Sequence, residues 1–68
     1  MEIVRLKTET IKLDQFIKWM GITATGAEAK QIIRQGMVKV NGEVETRRGK
    51  KLKKDDVVEV AGKTYKLG

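Results

Sequence analysis

The sequence predicts an α+β domain in which two short helices pack on a small, mainly antiparallel sheet of three to five short strands. Three observations predict it. Two apolar stripes at helical spacing lie in the first half of the chain, each followed by a glycine. Alternating valines with Asn41-Gly42 and Ala61-Gly62 turns fill the second half. Helices and strands are therefore segregated along the chain, which excludes an alternating α/β layout. Sixty-eight residues make one domain spanning 1–68. With no cysteine and no histidine, neither a disulfide nor an ordinary zinc site can staple it.

Taken in order, Ile3 to Lys7 alternates weakly and reads as a short edge strand. The first helix is predicted from about Lys12 to Met20. Leu13, Phe16, Ile17 and Met20 stand at i, i+3, i+4 and i+7, Asp14 suits the positive end of the helix dipole, and Gly21 provides the stop. The second helix is predicted from about Gly26 to Gln35. Thr25 to Glu28 has the form of a capping box, Ala29, Ile32 and Ile33 form the apolar stripe, and Gly36 ends it. Val38 and Val40 then begin a strand that turns at Asn41-Gly42. A two-residue loop would set Val44 opposite Lys39, so placing Val40 and Val44 on one buried face requires a three-residue loop or a bulge, which is the reading favoured here. Asp55-Asp56 marks a further turn, Val57 to Val60 a strand, and Lys63 to Leu67 the last strand, with Val58, Val60 and Tyr65 on one face.

The chemistry available is narrow. There is no Ser, His or Cys, which removes the commonest nucleophiles and the commonest general base, and no cofactor or metal site is suggested, so no enzyme is expected. No apolar run approaches the ~20 residues of a membrane span, and the N-terminal residues lack a signal-peptide layout, so a cytoplasmic protein without membrane contact is expected. The charge distribution is more informative. Net charge is +6, and six of the fifteen Lys and Arg residues fall between Arg47 and Lys54 with no acid among them. The remaining 60 residues are left with nine bases against nine acids. A neutral body carrying one basic stretch suits a polyanion binder.

These residues resemble a known family. Ile11 to Lys18, Gly21, Thr25, Glu28-Ala29-Lys30, Ile32-Ile33, Gly36 and Val38-Lys39-Val40-Asn41-Gly42 together are similar to the S-four domain, the alpha-L RNA-binding motif named after the fourth protein of the small ribosomal subunit. The similarity covers about residues 11–60, and the size resembles the stand-alone bacterial members of YaaA and YbcJ type. The resemblance implies RNA as partner: ribosomal RNA first, in a ribosomal subunit or assembly particle, and transfer RNA second. It also implies a contact face made by the two helices and the following strand. Onto this sequence it carries Lys12 before Leu13-Asp14, Thr25 at the start of the second helix, and Lys30 and Arg34 along it; Lys39, on the strand that follows, is a further candidate RNA contact. One departure is Gly26, where the family often has Arg; it leaves a bare helix N-terminus with free N–H groups.

Weighed singly, Arg47, Arg48, Lys50, Lys51, Lys53 and Lys54 read as phosphate contacts, against the alternative of a solvated loop; such contacts position RNA without reading sequence. Lys30 and Arg34, four apart and with no acid three or four positions away on their helix, repel by roughly 0.2–0.5 kcal/mol, which a phosphate would relieve. Gln31 beside them can bond a base edge or a 2′-hydroxyl. Trp19 reads first as a cover for the core edge, with base stacking as the alternative. Asp55, Asp56 and Glu59 read as turn and surface. A monomeric RNA-binding module is the expectation; the alternative is an adaptor docking on an acidic ribosomal or RNA-processing protein.

Overall fold

The computed structural model describes residues 1–68. It contains β1 (Glu2–Val4), β2 (Thr10–Lys12), α1 (Leu13–Trp19), α2 (Gly26–Arg34), β3 (Val38–Val40), β4 (Glu43–Val44), β5 (Lys51–Lys53), β6 (Val57–Val60) and β7 (Lys63–Leu67). Five strands form a mixed sheet in the order β1-β7-β6-β3-β4, in which only the β1–β7 pair is parallel. Strands β2 and β5 form a separate antiparallel ribbon.

Both helices lie where the apolar stripes require. Leu13, Phe16 and Ile17 of α1 and Ala29 and Ile33 of α2 are fully buried. They meet the inner face of the sheet, which carries Val38, Val40, Val58, Val60, Tyr65 and Leu67. The Phe16 ring sits edge-to-face on Tyr65 with centroids 5.9 Å apart, tying α1 to the centre of the sheet. The Thr25 hydroxyl accepts a hydrogen bond from the Glu28 N–H at 3.2 Å and so caps α2.

Two expectations are corrected. The β3–β4 hairpin keeps the two-residue loop: Val40 pairs with Glu43 and Lys39 with Val44, so there is no bulge, and Val44 is 54% exposed on the outer face. Asn41 and Gly42 both adopt left-handed backbone, φ 53° and 84°, which matches the sheet twist. The Asn41 carboxamide then accepts from the Val57 N–H at 2.9 Å and donates to Asp56 at 3.1 Å. These bonds, about 0.5–1.5 kcal/mol each, together with the favoured two-residue turn offset the ~1.5–3 kcal/mol that burying one valine would supply. The second correction is Asp56 itself, which is buried rather than a surface turn residue.

Candidate nucleic-acid interface

The basic segment is not a free arm. Its second half is β5, and Leu52 in the middle of that strand is fully buried opposite Ile11 of β2. Alternation along the two strands turns their remaining residues outward. Lys12 stands directly across from Lys51, and Thr10 across from Lys53. Like charges facing each other across a strand pair destabilise it. Neither lysine has a carboxylate partner, because the chain contains a single ion pair, Glu45 with Arg47. A shallow groove of about 390 Å³ runs between Lys12, Lys51, Thr8, Thr10 and Gln15.

The first half of the segment, Arg47 to Lys50, is bound to α1 through its backbone. The N-cap residue Lys12 makes no side-chain cap. The Leu13 N–H instead donates to the Lys50 carbonyl at 2.9 Å, and the Asp14 N–H to the Arg48 carbonyl at 3.1 Å. The first free N–H groups of the helix are thus satisfied from the basic loop. Lys12, Arg48, Lys50 and Lys51 are thereby gathered around one helix end, although 36 positions separate Lys12 from Arg48 in the sequence. Nothing in the local sequence signals this pairing.

Arg47 differs from its neighbours. Its Nε and Nη2 donate to the Glu45 carboxylate at 3.1 and 3.2 Å, and its backbone N–H donates to the same group at 3.1 Å. These bonds hold the Glu45 carboxyl below the usual carboxylate range and raise the guanidinium further. A depressed carboxyl pKa means the pair's contribution is present at neutral pH and is lost as pH falls through the Glu45 value. The segment therefore has a counter-acid just outside it, and one of its six charges is already partnered.

The remaining predicted residues fall into three places. Lys30, Gln31 and Arg34 lie along one edge of α2; Lys30 is half-buried, the other two are exposed, and none is paired with an acid. Thr25 has its hydroxyl oxygen engaged as the α2 cap. Lys54 lies in the exposed turn after β5. Lys39 is not brought to the others: it is on the outer face of the sheet, between Val44 and Glu59 on the flanking strands. Sequence reasoning passed over Lys7 and Lys18, which border a larger groove of about 540 Å³ beside Trp19. No group of three or more potential metal ligands converges anywhere, and no helix is long and apolar enough to cross a membrane.

Comparison with known proteins bears on this arrangement. The model of the S4 domain family matches residues 4–67. The chain is 41% identical over 59 residues to a protein of Bacillus subtilis (strain 168) named as the probable ribosome maturation protein RlbA, covering 87% of this chain and 83% of that one. Among solved structures, it is similar to YbcJ from E. coli (TM-score 0.71, 35% identity, 98% of this chain and 86% of that chain), whose solution structure is described as revealing an alpha-L motif involved in RNA-binding. It is also similar to the 30S ribosomal protein S4e from Thermoplasma acidophilum, with a TM-score of 0.72 and 26% identity. That match covers 88% of this chain and spans about a third, 32%, of the ribosomal protein.

Proposed function

Because the chain belongs to the S4 domain family, we propose that it is an RNA-binding module, acting as one unit over residues 1–68 in the cytoplasm on structured RNA in a ribosomal setting. Ribosomal RNA, in a subunit or assembly particle, is the favoured partner, and transfer RNA the next. The observation that carries the reading is the pair Lys12 and Lys51, facing each other across a ribbon without a carboxylate between them. A phosphate backbone laid along that ribbon relieves their repulsion and releases counterions.

The mechanism follows from the two surfaces. Lys12, Lys51, Lys53, Arg48 and Lys50 hold phosphates on a rigid strand pair and the loop bonded to it. This supplies affinity without sequence preference. Lys30 and Arg34 on α2 take further phosphates, and Gln31 between them bonds a 2′-hydroxyl or a base edge, which supplies selectivity for RNA shape. Helix and ribbon together clamp a folded RNA. Binding, not catalysis, is the role the residue set suits, since it lacks Ser, His and Cys.

Salt titration is the test. Neutralising four to six phosphates should give a log–log slope of roughly −3 to −5. Replacing Arg48, Lys50 and Lys51 with Glu should remove most binding while leaving the fold intact, because the contacts this loop makes to α1 come from main-chain carbonyls. Affinity that ignores salt, or that survives the triple reversal, would sink the mechanism. The rival reading, an adaptor for an acidic ribosomal or RNA-processing protein, is favoured by the exposed Ile3, Met37 and Val44 side chains. It predicts partners that remain bound after ribonuclease treatment.

A further inference from the structure

We infer that the groove beside Trp19 receives one unpaired base of the bound RNA, an inference that rests on the RNA-binding reading above. Trp19 is 47% exposed, although it is the largest apolar side chain in the protein. It does not stack on its aromatic neighbour: the Phe16 and Trp19 rings meet at 69° with centroids 6.4 Å apart. The indole is therefore half-exposed and not stacked face-to-face on another ring of the protein, which leaves exposed surface for a planar partner.

The groove it borders, about 540 Å³, lies within the range of ~300–1,000 Å³ typical of small-ligand sites. Its apolar part is Leu6 and Ile11, both half-buried against the core. Its polar part is Lys7, Thr8, Asp14, Gln15 and Lys18, so that one carboxylate stands among two ammonium groups. One Asp14 oxygen accepts from the Gln15 N–H at 2.8 Å, and the other has no partner within the protein. A carboxylate repels phosphate but accepts hydrogen bonds from the amino and ring N–H groups of a base. The Gln15 carboxamide, free of protein hydrogen bonds, can both donate and accept. The apolar wall, the half-exposed indole and the Asp14 acceptor suit a base, while Lys7 and Lys18 can hold the phosphates on either side of that nucleotide.

Continuity gives the route. Thr8, Ile11 and Gln15 border this groove and also the shallow groove that holds Lys12 and Lys51. A strand whose phosphates lie on the ribbon can swing one nucleotide over Gln15 into the space beside Trp19, with Lys18 at the rim.

Trp19 is the sole tryptophan, so its emission reports on this groove alone. The experiment titrates the full chain with a paired RNA stem carrying one bulged adenosine, and with the same stem carrying an abasic residue in that bulge. The expected result is about tenfold tighter binding of the adenosine stem, with Trp19 emission quenched by it and not by the abasic stem. Trp19→Ala should remove that preference and Trp19→Phe, which keeps a ring, should restore part of it. Equal affinity of the native chain for the two stems, with unchanged emission, overturns the base site; salt-dependent binding of both stems then leaves the RNA reading standing. If neither stem binds, both proposals fall.

Discussion

Asp56 shows how much one side chain can hold. One carboxylate oxygen accepts from the Lys53 N–H at 2.9 Å, the other from the Asn41 carboxamide at 3.1 Å. Asn41 in turn accepts from the Val57 N–H. The end of the cationic ribbon, the β3–β4 turn and the start of β6 are thus joined through two adjacent polar side chains. Asp56→Ala removes both part-buried hydrogen bonds, to the Lys53 N–H and the Asn41 amide, which costs about 0.5–1.5 kcal/mol for each. The urea midpoint should fall accordingly, whereas Asp55→Ala, at an exposed neighbour with φ 77°, should lose only what a left-handed residue loses on gaining an alanine. Sequence could not separate the two. Both are aspartates in a polar turn signal, and the burial of Asp56 depends on a partner 15 positions away. Val44 was misjudged for the converse reason. Its apolarity suggested burial, but the edge strand on which it lies is only two residues long and its register is set by the turn.

At the scale of elements, the helices were legible because each writes its own period. The stripes of α1 and α2 and the glycines after them fix both boundaries to within a residue or two. The β2–β5 ribbon was not legible. Each strand has three residues, and Lys51-Leu52-Lys53 offers one apolar position between charges. Its partner lies on the far side of both helices in sequence, so no local signal exists. Yet Leu52 has no exposed surface. Leu52→Ala should therefore cost ~2–5 kcal/mol. Because the ribbon holds the loop that caps α1, the same change should strip hydrogen-exchange protection from the Leu13 and Asp14 amides before other α1 amides are affected. Protection at those two amides that survives the substitution would show that the loop is held without the ribbon. The candidate site was legible to the same extent as the elements that carry it. The lysines and arginines were found by composition, and their convergence on α1 was not.

For the whole molecule, 14 of 68 residues are buried and no covalent staple exists, so stability rests on a small core and a closed set of backbone bonds. Closure is completed by β1, which runs parallel to β7 at the sheet edge, with Glu2 beside Tyr65 and Val4 beside Leu67. The Gly68 N–H donates to the Val4 carbonyl at 2.7 Å, and the Leu6 N–H to the Gly68 carbonyl at 3.4 Å. Most of what β1 buries is the single side chain Val4, since Glu2 and Ile3 are exposed. Its larger effect is on solubility. It occupies the backbone donors and acceptors of β7, a five-residue strand that would otherwise be an open template. Deleting residues 1–5 should leave the helices and the ribbon in place but yield a chain that pairs β7 with β7 of another molecule, seen as concentration-dependent oligomers in light scattering. A deletion variant that stays monomeric at high concentration would contradict this. A strand of three residues, with one side chain in the core, would then be working less as part of that core than as a guard against strand exchange and aggregation.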